Sequence, residues 1–249
     1  MERKPKVLIT GAAGRIGSSL SELLKDRYDL RLLYHRTIPE NKPAPDFVVA
    51  DLADYEQTLK ASQGVDAVVH LAADPSAAAP WEAVLEKNII ATRNVYEAAL
   101  VSGARKVIFA STNHVMGFYD RDLEWPVYSS QLPRPDSLYG VSKAFGETLG
   151  RWYADQHGLS VICLRIGWWQ PKPRDEISRW MWLSPRDFAQ LVVKSIESPL
   201  RYGVFYAISG NSRRKWDITD TMLKLGYEPQ DDAEDFAAEL DAALKAPER

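Results

Sequence analysis

One cysteine is all that these 249 residues contain, so no intrachain disulfide can form. Cys163 lies in an apolar run and reads as inert core. Neither sign of charge is in excess. Lys and Arg number 31 against 34 Asp and Glu, the net charge is −3, and no basic run stands out. This balance argues against nucleic acid as the main partner. No apolar stretch reaches the length of a membrane span, and Met1–Pro5 passes into a strand-like run without a signal-type segment. No membrane partner and a cytoplasmic location are therefore expected. Repeats and low-complexity segments are absent, and no metal site is assigned. The remaining composition, 45% hydrophobic and 26% charged, is that of a globular protein long enough for one α/β domain with a small appendage.

Strand-like runs recur at Lys6–Thr10, Leu30–Tyr34, Asp46–Val49, Ala67–Leu71, Lys106–Ala110, Ser160–Ile166 and Gly203–Ile208. Helical patterns separate most of them, notably over Trp81–Ser102, Ser137–Asp155 and Pro185–Glu197. Such alternation predicts an α/β fold with a doubly wound parallel sheet. Residues 1–167 read as a nucleotide-binding domain, and residues 168–249 as a small substrate-binding portion interleaved with the sheet. A proline-bearing surface loop is expected over residues 39–45, a long connection over Ser111–Asp136, and an exposed acidic helix from Asp231 onward.

The first chemical signal is Thr10-Gly11-Ala12-Ala13-Gly14-Arg15-Ile16-Gly17, set between a buried strand and a helix on which Ile16, Leu20, Leu23 and Leu24 recur. That context suits a dinucleotide pyrophosphate. Gly11 permits the tight turn, Gly14 the approach of backbone to phosphate, and Gly17 the close packing of helix on strand. The helix N-terminus supplies free N–H groups and partial positive charge.

The second signal is Tyr139-Gly140-Val141-Ser142-Lys143. Spacing of i, i+4 puts Tyr139 and Lys143 on one helix face. A phenol with its usual pKa near ~10 is a poor base at neutral pH, and a neighbouring ammonium favours its phenolate. A hydroxyl from the strand end at Ser111-Thr112-Asn113-His114 is expected to hold the reacting oxygen. On an unrelated amphipathic helix the same Tyr and Lys would be mere surface residues; the glycine turn upstream argues otherwise.

With Asp51-Leu52, His70-Leu71-Ala72-Ala73 and Asn88, these landmarks resemble an extended-type short-chain dehydrogenase/reductase, of the NAD-dependent epimerase/dehydratase family. Within it, Ser111–Gly117 and Leu138–Lys143 resemble uronate dehydrogenases. Asp74-Pro75, Ala79-Pro80-Trp81, Met181–Ser184 and Leu225–Asp231 resemble the short sugar-phosphate dehydrogenases of archaeal type. The resemblance implies a Rossmann fold and a catalytic set of Thr112, Tyr139 and Lys143. It places Asp51 and Leu52 at the adenine, and Leu71, Ala72, Ala73, Asn88 and Ile166 along the cofactor together with Gly11, Gly14, Arg15, Ile16 and Gly17. Lys143 would also bond the nicotinamide ribose. Asp74, Ser76, Ser111, Asn113 and His114 fall on the substrate side, although a loop histidine packed under the site is an equally simple reading of His114. A homodimer through the helices Trp81–Ser102 and Ser137–Asp155 is implied as well.

The cofactor choice turns on an absence. The second strand ends Leu32-Leu33-Tyr34-His35-Arg36, without the carboxylate that takes the adenosine ribose in NAD enzymes. Arg36 can pair with a 2′-phosphate, so NADP is expected, with NAD as the alternative in which Arg36 faces solvent. On the substrate side only about 80 residues follow Arg165, too few to enclose a nucleotide-sugar as well. Trp168, Trp169, Arg174, Arg179, Trp180 and Trp182 would suit a pyranose bearing an anionic group, or would serve as core and solvated surface. Where uronate dehydrogenases carry their carboxylate-binding arginine, this chain has Ile177, with Arg174, Arg179 and Arg15 as nearby cations. The expected reaction is oxidation of a small aldose, aldose phosphate or uronate at C1 to the lactone. An epimerase or dehydratase with tightly held NAD, and a non-catalytic NADP sensor, are the alternatives.

Overall fold

The computed structural model describes residues 3–40 and 44–245. Residues 41–43 of the proline-bearing loop and the last four of the acidic tail lie outside the described residues. The strands are β1 (Lys6–Thr10), β2 (Asp29–Tyr34), β3 (Asp46–Val49), β4 (Ala67–His70), β5 (Lys106–Thr112), β6 (Ser160–Ile166), β7 (Trp168–Trp169), β8 (Trp182–Leu183) and β9 (Tyr202–Ala207). The helices are α1 (Arg15–Leu24), α2 (Tyr55–Ser62), α3 (Trp81–Val84), α4 (Ala91–Val101), α5 (Gly117–Arg121), α6 (Leu138–His157), α7 (Ser178–Met181), α8 (Pro185–Glu197), α9 (Thr219–Leu225) and α10 (Ala237–Lys245).

Seven strands form one parallel sheet in the order β3-β2-β1-β4-β5-β6-β9. The pleat sends alternate residues to opposite faces. Val7 and Ile9 join the core under α1 and α8, while Leu8 and Val68 join the one shared with α4 and α6. Chain direction reverses its winding between β1 and β4. In such a sheet the crevice beyond the strand C-termini at that point is where ligands bind.

Three elements depart from the sequence expectation. Strand β5 runs past Ala110 to Thr112 because Ser111 and Thr112 continue the ladder opposite Arg165 and Ile166. The helix expected over Trp81–Ser102 contains a π-helical turn, Leu85–Ile90, between α3 and α4. Within this wider turn Asn88 faces inward and is buried. The acidic tail is not an exposed helix. A 3₁₀ turn, Ala233–Phe236, and α10 dock through buried Ala233 and Leu240, and Glu234 and Asp241 pair with Arg179. Residues beyond 168 also supply β9 and α8 to the same sheet and core. Among the described residues no helix is long and apolar enough to cross a membrane.

Candidate active site

A cleft of about 590 Å³ runs along the C-terminal ends of β1, β4, β5 and β6. At one end stands the glycine turn. Gly11 has φ +69°, and a Cβ there would lie 2.9 Å from the Ala72 amide nitrogen. A Cβ on Gly17 would overlap the Gly11 carbonyl oxygen. Only glycine lets α1 come this close, with its N-terminus facing the cleft. Arg15 and Ile16 line the same end, opposite Arg36, Asp51, Leu52, Leu71, Ala72 and Ala73. His35 approaches Asp51 to 3.7 Å. No carboxylate among the described residues pairs with Arg15 or Arg36.

A buried staple holds the facing loops. The Thr10 hydroxyl accepts the amide N–H groups of Leu71 and Ala72, at 3.1 and 3.2 Å, and lies 2.8 Å from His70 Nδ1. His70 Nε2 lies 3.2 Å from the Thr92 hydroxyl. With both ring nitrogens committed to neutral partners, burial pushes the imidazole down to about 3.

The other end carries Thr112, Tyr139 and Lys143. Ser137 caps α6 by accepting the Gly140 N–H, and this places Tyr139 in the first turn and Lys143 in the next. Thr112, at the end of β5, joins them on the cleft wall. Lys143 is buried, yet no hydrogen bond to its Nζ is found among the described residues. Its contacts are the Phe109 ring, 4.8 Å from the centroid, and the Tyr139 ring, 5.8 Å away. Burial lowers this lysine to about 7. Burial pushes the Tyr139 phenol up, and the Thr112 hydroxyl is the neighbour that opposes the rise.

Of the hydroxyl pair on β5, Ser111 is committed elsewhere. It donates to Glu147 Oε1 at 2.6 Å, and Glu147 holds Arg165 in a bidentate pair at 2.8 and 2.8 Å. Thr112 is left as the hydroxyl presented to the cleft, donating to Asn113 Oδ1 at 3.2 Å. His114 places Nδ1 2.9 Å from the Asp136 carboxylate and sets its ring edge-on to Tyr139 at 5.7 Å. Ile166 and Trp168 complete the wall, with the Trp168 indole N–H donating to Asp175.

Four candidates lie off that wall. Asn88 is consumed as a brace: its Oδ1 accepts the Asp74 N–H at 2.8 Å, and its Nδ2 donates to the Asp74 carbonyl and to Ser142 Oγ. It therefore ties the loop after β4 to α6 and does not itself reach the cleft. Asp74 is turned to Lys87 at 3.1 Å. Ser76 and Arg174 are exposed on the flanking loops. Nor is Arg179 a ligand for substrate, being buried among Glu176, Glu234 and Asp241. Sequence reasoning missed Glu147, Asp136 and Gln170. Glu147 had a local signal, since it falls one further turn along the face of Tyr139 and Lys143. Asp136 and Gln170 had none.

The glycine cradle and the uncommitted Lys143 Nζ fit a nicotinamide dinucleotide, and comparison with known proteins agrees. A Haloferax volcanii protein called NAD-dependent glucose-6-phosphate dehydrogenase is 41% identical over 251 residues, covering 94% of this chain and 96% of that one. An L-arabinose 1-dehydrogenase (NAD(P)(+)) of the same organism is also 41% identical, over 254 residues, covering 92% and 97%. The crystal structure of uronate dehydrogenase from Agrobacterium tumefaciens superposes with a TM-score of 0.91 at 34% identity, covering 98% of this chain and 91% of that one. Residues 7–169 match the family model described as NAD dependent epimerase/dehydratase, and the chain belongs to that family.

Proposed function

We propose that this protein oxidises a small sugar at C1 to the lactone, with a nicotinamide dinucleotide as acceptor. The observation that carries the reading is the meeting of Thr112, Tyr139 and Lys143 in the same cleft as the glycine turn. Sequence kinship with three kinds of sugar dehydrogenase supports it.

The residues divide the work. Gly11, Gly14, Gly17 and the α1 N-terminus would hold the pyrophosphate, with Arg15 beside it. Asp51 and Leu52 would flank the adenosine, and Ala72 and Ala73 the linking phosphates and ribose. When bound, the nicotinamide supplies the acceptor for the C1 hydride. Thr112 holds the C1 hydroxyl, and Tyr139 removes its proton. Lys143 donates hydrogen bonds at the same point and biases the phenol toward phenolate when it is charged. Holding both reactants in one cleft supplies much of the rate through orientation.

The carboxylate-free end of β2, and Arg36 with no carboxylate partner among the described residues, support NADP over NAD. A homodimer is part of the same reading. Ile90, Val101, Val141 and Trp152 are exposed apolar residues on or beside α4 and α6, where a second copy would cover them. Light scattering reads twice the 28.1 kDa chain mass if so, and the single mass if not. The functional test is NAD(P)H formation against free aldoses, uronates and aldose phosphates. Net reduction with at least one sugar is expected. No reduction by any, with sugar isomerised instead, would favour an epimerase.

A further inference from the structure

Resting on the C1-dehydrogenase reading, we infer that the sugar site is built for a neutral aldose rather than a uronate or a sugar phosphate. Two observations carry this, one positive and one of charge.

Gln170 is 4% exposed and lines the cleft beside Trp168 and Trp169. No hydrogen bond to its side-chain amide is found among the described residues. The amide atoms themselves keep access to solvent, so their hydrogen-bonding capacity is open to a ligand in the cleft. A carboxamide offers one acceptor and two donors and no charge, which matches a pair of sugar hydroxyls. The neighbouring indoles offer apolar faces to the C–H side of a pyranose.

Of the basic side chains around the sugar end, His114, Lys87 and Arg179 are each engaged by a carboxylate. His114 is held by Asp136, whose carboxylate occupies a slot that a Cβ on Gly117 would fill, and which also accepts from the Ser137 hydroxyl at 2.8 Å. Lys87 is paired with Asp74. Arg179 is enclosed by three carboxylates, and Arg174 lies off the cleft wall. Lys143 has no carboxylate partner among the described residues, but it stands beside Tyr139 at the reacting carbon, away from the far end of a sugar where a carboxylate or phosphate sits. An anionic sugar would enter without a counter-charge and lose its hydration.

The test compares kcat/KM within matched sets that share ring stereochemistry: glucose, glucuronate and glucose 6-phosphate, then galactose, galacturonate and galactose 6-phosphate. The neutral member of at least one set is expected to exceed both anionic members by about tenfold or more, with a KM that changes little between low and high salt. Gln170→Leu is expected to raise KM for the neutral sugar about tenfold with kcat held within about threefold, the pattern of lost ground-state binding. An anionic member turned over best, with the salt-sensitive KM of a charge contact, overturns the inference and leaves the dehydrogenase reading intact. Failure of every sugar to reduce either dinucleotide overturns both.

Discussion

The two ends of the cleft are made in different ways. The nucleotide end is mostly backbone: a turn that only glycine can form, a helix N-terminus, and two arginines with no carboxylate partner among the described residues. The sugar end is mostly side chains, and nearly every charge in it has a partner from a distant part of the chain. Asp136 answers His114, Glu147 answers Arg165, and Asp74 answers Lys87. One end presents uncommitted positive charge to a ligand that brings phosphates. The other presents hydrogen-bonding groups around one buried lysine. The contrast explains how one crevice can hold a polyanion beside a sugar without the two exchanging places.

The sharpest way to separate the ends is Tyr139→Phe. Turnover should fall by about a hundred- to ten-thousandfold, while dinucleotide affinity by titration calorimetry stays within about threefold. Loss of both together would mean that the ends are not independent. Next in size is Glu147→Gln. It leaves the buried Arg165 guanidinium uncompensated and frees Ser111, and stability in urea should drop by about 3 kcal/mol. An unchanged midpoint would mean that the pair contributes nothing to holding β5, β6 and α6 together.

The pH dependence divides the same way. His70, under the nucleotide loops, is unprotonated in the fold down to about 3 but takes up a proton near 6.5 when unfolded. Its stabilising contribution is present above 6.5 and is lost as pH falls toward 3. Lys143 is lowered from 10.5 to about 7, so its contribution is present above 10.5 and is lost as pH falls toward 7. In dinucleotide-free protein, stability should therefore rise with pH across both windows. His70→Gln should flatten only the acid window, and Lys143→Met only the alkaline one. Denaturation curves in which both variants keep the wild-type slopes would contradict the burial argument. The smallest effect is expected from Arg36→Ala, which should lower kcat/KM with NADP by roughly tenfold and leave NAD within about twofold. Equal losses with both cofactors would remove Arg36 from the choice between them.

The two ends were also unequally legible in the sequence. The glycine turn is a local signal, read from seven consecutive residues and the periodicity on either side. The sheet was legible for the same reason, since each of its strands is a run that shows its own burial. Tyr139 and Lys143 could be read because one helix turn relates them. The groups that set the character of the sugar end could not. Arg179 resembled a ligand for an anion until Glu234 and Asp241, more than fifty positions onward, closed on it. Asn88 resembled a cofactor contact until the π-helical turn carried it inward to Asp74 and Ser142. Gln170 gave no signal, because an amide is informative only once its surroundings have failed to bond it. The state of Lys143 was hidden for a related reason. Spacing reveals that a lysine is near, but burial decides how much charge that lysine keeps.

In the proposed reaction a sugar's C1 lies at Tyr139 while a dinucleotide lies in the glycine cradle of the same cleft. Incubation with an aldose deuterated at C1 tests this most directly, by mass spectrometry of the reduced cofactor and of the sugar product. One deuterium in the reduced dinucleotide, with a lactone formed in equal amount, is the predicted result. A reduced dinucleotide carrying no deuterium, or a sugar changed in configuration with no net reduction, would contradict it.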